Sequence, residues 1–188
     1  MNARRWTAGL LATVAAVALV GCTSQSQEKT CTTTTDGIFE CAPDQRSAPP
    51  KLAGELLAGG SYDVSQARGQ VAVVNFWGSW CPPCRAEADD LEAVYQATKG
   101  SGVSFLGINV QDSRDKAKAF EEGRVTYPSL FDPSSRLALD LDIPPNTVPA
   151  TVVLDRDGRI AVVIRRAVTQ DELRPIVERV TAEKPASN

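Results

Sequence analysis

The chain has 188 residues, of which 43% are apolar and 23% are charged, and its formal net charge is −3. This composition predicts one globular domain with an extension, and it excludes a protein that crosses a membrane many times. A net negative charge gives no electrostatic reason to expect nucleic acid as a partner. The chain contains no histidine, so the commonest metal ligand and general base are both missing and any chemistry must use other side chains.

The N-terminus has the pattern of an export signal. Arg4 and Arg5 precede an uncharged, largely apolar run over residues 7–21. The run is shorter than the ~20 apolar residues that a membrane-spanning helix needs, which disfavours the alternative of an uncleaved anchor helix. Its end, Leu19-Val20-Gly21-Cys22, resembles the lipobox of bacterial lipoproteins. This resemblance implies that residues 1–21 are a signal peptide and that lipid on Cys22 anchors the protein to the bacterial cell membrane.

Residues 22–50 are predicted to be a flexible tether, because they are rich in Ser, Thr, Gln and Pro and show no hydrophobic period. Cys31 and Cys41 lie within this segment, on either side of an Asp36-Gly37 turn. In an oxidising compartment the two cysteines are expected to close a loop as a structural disulfide. The alternative, two thiols without a defined partner, is not decided by the sequence.

Residues 51–188 alternate strand and helix patterns and form the predicted main domain. Two short strands flank a glycine-rich turn, and the later apolar runs have the length of buried strands. Thr169 and Glu172 have the spacing of a capping box at the start of the last helix. The predicted strands are 52–57, 61–64, 70–77, 103–110, 127–131, 151–154 and 160–164, and the predicted helices are 82–98, one capped by Asp112 or Ser113 that reaches Glu122, 134–141, and the segment after Thr169.

The pair Cys81-Pro82-Pro83-Cys84 follows a predicted buried strand and opens a predicted helix. At a helix N-terminus the unpaired backbone N–H groups and the helix dipole favour a thiolate, so we expect Cys81 to attack a substrate disulfide. Cys84 lies one turn further on and is expected to resolve the mixed disulfide. A zinc site is disfavoured because the chain lacks further ligands at suitable spacing, so we expect no metal. A purely structural disulfide would not require this strand and helix setting.

The segment from Val73 to Glu87, which reads VVNFWGSWCPPCRAE, is similar to the extracytoplasmic thioredoxin-like reductases of the TlpA/ResA family. Thr147-Val-Pro-Ala-Thr151 resembles the cis-proline loop of that fold, and the hairpin before Gln70 and the insert around residues 112–131 are also similar. The resemblance implies an α/β, thioredoxin-like fold with a central mixed sheet flanked by helices, an N-terminal hairpin and a central insert. It also implies a cis Val148-Pro149 bond that faces the dithiol.

The same resemblance assigns a role to Glu87. Asn75 stands where thioredoxins have a buried aspartate, and members of this branch instead have a glutamate three residues after the second cysteine. On a helix Glu87 shares a face with Cys84, so a raised pKa would let it accept the proton of Cys84. The alternative is a solvated first-turn acid that the helix dipole stabilises. The expected substrate-binding residues are Trp80, Pro82, Pro83, Val148 and Pro149.

These features predict a membrane-anchored disulfide reductase that acts on exported proteins, with apocytochrome c as the client that the family likeness implies. We expect a membrane dithiol as the electron donor and no cofactor. A disulfide oxidant or isomerase is the main alternative, although Pro82 and Pro83 lack N–H groups and so stabilise the Cys81 thiolate less than a strong oxidant requires. A peroxiredoxin would need a threonine three residues before its reactive cysteine, where Gly78 stands.

Overall fold

The computed structural model describes residues 31–144 and 146–184. Within this part of the chain, seven strands form a mixed sheet, and two further strands form a separate hairpin. The predicted signal peptide and Cys22 lie outside the described residues. None of the described helices is long and apolar enough to cross a membrane. The strands are β1 Thr32–Thr33, β2 Ile38–Glu40, β3 Ala53–Glu55, β4 Ser61–Asp63, β5 Val71–Trp77, β6 Val103–Val110, β7 Ser129–Asp132, β8 Ala150–Leu154 and β9 Ile160–Ile164, and the helices are α1 Pro82–Thr98, α2 Arg114–Glu121, α3 Arg136–Leu139 and α4 Gln170–Ala182. The strand order in the sheet is β1-β2-β9-β8-β5-β6-β7, and β3 and β4 form the hairpin.

Strand β5 lies in the interior of the sheet, and all seven of its residues are buried. It pairs in parallel with β6 on one side and antiparallel with β8 on the other. Because successive side chains of a strand point to opposite faces, Asn75 and Trp77 share a face, and Val74 and Phe76 lie on the other. The polar Asn75 therefore lies on the same face of the sheet as Val73 and Trp77, in an otherwise apolar strand. This face carries the candidate active site.

Each face of the sheet is covered by its own hydrophobic core. On the face of Val73, the core contains Leu91 and Val94 of α1 together with Leu173 and Val177 of α4. These residues recur at helical spacing, so each helix buries one apolar stripe against the strands. On the opposite face, the β3–β4 hairpin and α3 cover a second core around Phe76 and Ile108. The predicted thioredoxin-like fold, a mixed sheet flanked by helices, is confirmed.

The segment before residue 51 differs from the predicted flexible tether. β2 pairs with β9, and the backbone N–H of Cys41 donates to the carbonyl of Ala161 over 2.9 Å. The guanidinium of Arg46 is almost fully buried, where it pairs with Asp155 at 3.1 Å and Glu183 at 2.6 Å. A buried cation with two carboxylate partners holds the segment on the domain, so the tether prediction is wrong for this part of residues 22–50.

Other differences from the sequence reading are local. β3, β7 and α3 are shorter than predicted, whereas α1, β6 and β9 have the predicted bounds. The predicted capping box at the start of α4 is wrong, because the side chain of Thr169 makes no capping hydrogen bond. Glu172 instead accepts hydrogen bonds from the guanidinium of Arg166. A charged partner within reach outweighs the reciprocal bond to a backbone N–H.

Candidate active site

The Cys81–Cys84 pair lies at the junction of β5 and α1 and is joined as a disulfide. Cys81 is the N-cap of α1, and the prolines Pro82 and Pro83 occupy the first two helical positions. Prolines suit these positions because the first N–H groups of a helix have no partner within it. The backbone N–H of Cys84 donates to the sulfur of Cys81 over 3.2 Å. The helix therefore supplies a hydrogen bond and a favourable dipole to the sulfur that we expect to attack.

The predicted proline loop faces this sulfur. The Val148-Pro149 peptide bond is cis, and the carbonyl oxygen of Val148 lies 3.7 Å from the sulfur of Cys81. Trp80 is 46% exposed beside the pair, and its indole N–H donates to the carbonyl of Val110 over 3.1 Å. Pro82 and Pro83 are also exposed. Of the residues that the sequence assigned to substrate binding, Trp80, Pro82 and Pro83 are therefore exposed beside the buried Cys81. Val148 is partly buried and Pro149 is buried.

Beneath the pair, Glu87 forms a buried polar cluster. Its side chain is almost completely buried, which disagrees with the alternative of a solvated first-turn acid. One carboxylate oxygen accepts a hydrogen bond from the side-chain amide of Asn75, and the other accepts from the backbone N–H of Val168, both over 2.9 Å. The amide of Asn75 also donates to the hydroxyl of Thr151 over 3.2 Å. β5, β8 and the segment before α4 thus fix the carboxyl one helical turn after Cys84.

Burial raises the pKa of Glu87 to about 7, from an ordinary value of 4.5 for a glutamate. The hydrogen bonds from Val168 and Asn75 act in the opposite direction, since they stabilise the charged carboxylate. The nearby carboxyl of Asp90 raises the pKa further. A carboxyl with this pKa exchanges its proton near neutral pH, which is the property that a proton acceptor needs.

Sequence reasoning assigned Asp112 only a possible helix cap, whereas the N-cap of α2 is Ser113 and Asp112 orders the loop before Cys81. Its carboxylate accepts hydrogen bonds from the backbone N–H of Ser79 at 2.6 Å and from the Ser79 hydroxyl at 2.9 Å. The side-chain amide of Asn109 donates to the same carboxylate over 3.1 Å. Asp112 follows β6, which runs parallel to β5, so the two strand ends meet at one edge of the sheet. That parallel pairing was the signal that could have located it.

The second cysteine pair lies in a different part of the domain. Cys31 and Cys41 are joined as a disulfide that closes the loop carrying β1 and β2. Cys41 is buried, and its carbonyl accepts a hydrogen bond from Arg46 over 3.2 Å. The pair has neither a helix N-terminus nor a buried carboxyl among its described contacts. Its surroundings are those of a structural link.

Among the described residues, no cluster of three or more cysteine or carboxylate side chains is arranged to hold a metal ion. The site consists of two sulfurs, the proline loop and one buried carboxyl. This arrangement can exchange a disulfide with another sulfur compound, because the two cysteines can form and open their own bond.

A family model, that of the AhpC/TSA family, matches residues 44–163. The chain belongs to the AhpC/TSA family. It is similar to the thiol-disulfide oxidoreductase ResA of Geobacillus kaustophilus, with 27% identity over 71% of this chain and 76% of the relative. It is also similar to the thiol:disulfide interchange protein DsbE of Vibrio cholerae, with 33% identity over 71% of this chain and 74% of the relative.

A solved structure supports the same grouping. A secreted thiol-disulfide isomerase from Corynebacterium glutamicum shares the fold with a TM-score of 0.75 and 33% identity, over 82% of this chain and 98% of that protein. The predicted resemblance to ResA-type oxidoreductases is therefore confirmed. The protein is a thiol-disulfide oxidoreductase.

Proposed function

We propose that the protein is a disulfide reductase for exported proteins, with Cys81 as the attacking thiolate and Cys84 as the resolving thiol. In the first step the Cys81 thiolate attacks one sulfur of the client disulfide. The client bond breaks, a mixed disulfide forms on Cys81, and the second client sulfur leaves as a thiolate. The position of Cys81 at the start of α1 supports this order, since the helix N-terminus stabilises the charge that the attack requires.

In the second step Cys84 must lose its proton before it can attack. We assign this proton to Glu87, whose carboxylate becomes a carboxylic acid as the Cys84 thiolate forms. The Cys84 thiolate then attacks the sulfur of Cys81, the bond between Cys81 and the client breaks, and the Cys81–Cys84 disulfide forms. The two client thiolates take up one proton from Glu87 and one from solvent, so the client leaves as a dithiol and Glu87 is a carboxylate again. Two electrons have passed from the protein to the client. The supporting observation is the buried Glu87 carboxyl on the same helical face as Cys84.

The single observation that carries the proposal is the cysteine pair at the start of α1 with the Val148 carbonyl 3.7 Å from Cys81. Free backbone groups beside the attacking sulfur can hold an extended client chain in reach of it. The exposed Trp80 and the proline loop supply such a surface around the sulfur.

The location, client and electron donor are part of the same proposal. The export pattern of residues 1–21 and the lipobox-like Cys22 support an extracytoplasmic, lipid-anchored protein. The name of the Corynebacterium relative describes it as secreted, which agrees with this location. The resemblance of residues 73–87 to the TlpA/ResA family supports a role in cytochrome c maturation, with apocytochrome c as a client. The ResA and DsbE relatives are named as thiol-disulfide oxidoreductase and interchange proteins, which agrees with dithiol chemistry of this kind. A membrane dithiol protein would return electrons to the Cys81–Cys84 disulfide after each cycle.

A second candidate is a disulfide isomerase or oxidant, which the name of the Corynebacterium protein favours. Peroxidase activity has less support. A side chain at Gly78, the position where a peroxiredoxin needs threonine, would place its Cβ 2.5 Å from the indole nitrogen of Trp80. The Trp80 ring would have to move to admit it, and Trp80 is held by Val110.

The reduction potential of the Cys81–Cys84 pair separates the two candidates. We expect a value closer to the thioredoxin potential of about −270 mV than to the DsbA potential of about −120 mV. The full chain would be equilibrated with glutathione or dithiothreitol buffers, and the two thiols would be trapped and quantified by mass spectrometry. A potential near −120 mV would favour the oxidant and contradict the reductase.

A further inference from the structure

A small cavity lies behind Cys84, on the side of α1 that faces α2. Its volume is about 10 Å³, which is about the space that one water molecule occupies. Cys84 lines it together with Asn75 and Trp77 of β5. The remaining polar lining comes from Glu121, the last residue of α2, and from Tyr127. The resolving cysteine therefore lines the same cavity as a carboxyl that the sequence did not single out.

The carboxyl of Glu121 is held in place by β7 and β5. The hydroxyl of Ser129 donates to it, and the same hydroxyl accepts a hydrogen bond from the indole N–H of Trp77 over 3.3 Å. Ser129 is itself fixed, because its backbone carbonyl accepts a hydrogen bond from Leu57 over 2.8 Å. A carboxyl held by such a chain of donors keeps one position relative to Cys84.

The environment of Glu121 favours its uncharged form. Burial raises its pKa, although the hydrogen bond from Ser129 acts against this shift. Glu121 also ends α2, and the negative end of a helix dipole disfavours a carboxylate there. A carboxyl that binds a proton readily is suited to take one from a neighbouring thiol.

Asn75 connects this cavity to the other acid. It lines the cavity and also donates its amide N–H to Glu87. Cys84 is thus placed between two carboxyls, Glu87 on the α4 side and Glu121 on the α2 side.

The other charged or titratable groups near this cluster are Tyr127 in the cavity, Asp90 and Glu92 on α1, Arg85 and Arg124 against the ring of Phe120, and Asp89, which pairs with Arg124.

We propose that Glu121 is a second proton acceptor for Cys84, acting across this cavity through one water molecule. This inference rests on the proposed function, because it concerns the step in which Cys84 resolves the mixed disulfide. The proton of the Cys84 thiol passes to the water, and a proton of the water passes to the Glu121 carboxylate. The Cys84 thiolate then attacks Cys81, and the proton returns to the departing client thiolate or to solvent.

The test compares Glu121→Gln with Glu122→Gln in the full chain. Gln keeps the acceptor for Ser129 and removes the titration, and Glu122 is the exposed neighbour with the same charge. A mixed disulfide is formed on Cys81 with an aromatic disulfide reagent, and its release by Cys84 is followed by absorbance from pH 5 to 9. We expect release to slow about tenfold in Glu121→Gln. Glu122→Gln should match the parent, and Glu121→Asp should restore part of the rate and its pH dependence.

A second measurement needs no substrate. In a Cys81→Ser background, the Cys84 thiolate is titrated by its ultraviolet absorbance, as the difference from the Cys81→Ser/Cys84→Ser protein. Removing the Glu121 charge should lower the pKa of Cys84 by about half a unit or more. If the release rate of Glu121→Gln equals that of Glu122→Gln at every pH, the inference is overturned. That outcome would leave the reductase proposal intact, since attack by Cys81 is measured separately by formation of the mixed disulfide.

Discussion

The two cysteine pairs of this protein have the same covalent bond and different surroundings. Cys81–Cys84 begins a 17-residue helix and lies beside the proline loop and the buried acid Glu87. Cys31–Cys41 closes a short loop against the edge of β9 and contacts the buried Arg46. When the Cys81–Cys84 bond opens, the helix N-terminus can stabilise the thiolate of Cys81, and Glu87 can exchange a proton with Cys84. When the second opens, neither is available among its described neighbours.

This difference shows that two nearby cysteines are not sufficient for exchange. Opening a disulfide creates a thiolate, and the leaving thiolate departs faster when its charge is stabilised. Closing it again requires a thiol to lose a proton. The first pair has a group for each requirement, whereas the second pair has backbone hydrogen bonds and a buried ion pair that only hold it in place.

The largest expected effect comes from the cysteines of the first pair. Cys81→Ala should abolish reduction of a protein disulfide, because no thiolate remains at the start of α1. Cys84→Ser should retain attack and lose resolution, so a mixed disulfide with the client should accumulate on Cys81. Non-reducing gels with mass spectrometry would detect the adduct. A mixed disulfide that builds up on Cys84 when Cys81 is absent would reverse the order of attack.

Glu87→Gln should slow resolution by about 10²-fold while the domain stays folded. The pKa of Glu87 is raised to about 7. In the parent, Glu87 is therefore a carboxylate that can accept a proton above pH 7, and below pH 7 a growing fraction of it is already protonated and cannot. The rate of the parent should therefore fall as the pH drops through about 7. In the Gln variant this inflection should be missing. Equal rates for parent and variant from pH 5 to 9 would remove the proton-handling role and leave the dithiol assignment standing.

The same residue should make stability depend on pH. Glu87 binds its proton more tightly in the folded state, at a pKa of about 7, than in the unfolded chain, near 4.5. The stabilisation that comes from this tighter proton binding is therefore complete below pH 4.5. As the pH rises from 4.5 through about 7 it is lost, and the free energy of unfolding falls by up to about 3 kcal/mol. Denaturant titrations of the oxidised protein at pH 4.5 and 7.5 would measure it. The loss should be smaller in Glu87→Gln, and an identical loss in both proteins would contradict the assignment.

Removing the second pair should affect stability and leave the chemistry almost unchanged. Cys31 and Cys41 are separated by 10 residues, and a loop of about this length predicts a loss of about 2–3 kcal/mol in the free energy of unfolding. Cys31→Ala/Cys41→Ala should therefore unfold at lower denaturant concentration and reduce a protein disulfide at nearly the parent's rate. A loss of activity in the folded variant would mean that this pair takes part in exchange.

The parts that sequence predicted well are those that local pattern determines. The apolar run of β5, the prolines at the start of α1 and the spacing of Cys84 and Glu87 are all readable along the chain. The positions of Asp112 and Glu121 at the site were missed, and Asp112 was named only as a possible helix cap, because these contacts depend on which strand or helix lies beside the residue in space. The segment around β1 and β2 was misread for the same reason. Two strands of two and three residues show no period, and only the free edge of β9 pairs them with the sheet.

The contrast between the two pairs is tested most directly by opening both bonds in one sample. The oxidised full chain would be equilibrated with a graded series of glutathione and dithiothreitol buffers, and the free thiols would be alkylated and located by peptide mass spectrometry. We expect Cys81 and Cys84 to be reduced at the higher potential, while Cys31 and Cys41 remain joined until the buffer is strongly reducing. Reduction of Cys31–Cys41 first, or of both pairs together, would contradict the assignment of exchange to the pair at the start of α1.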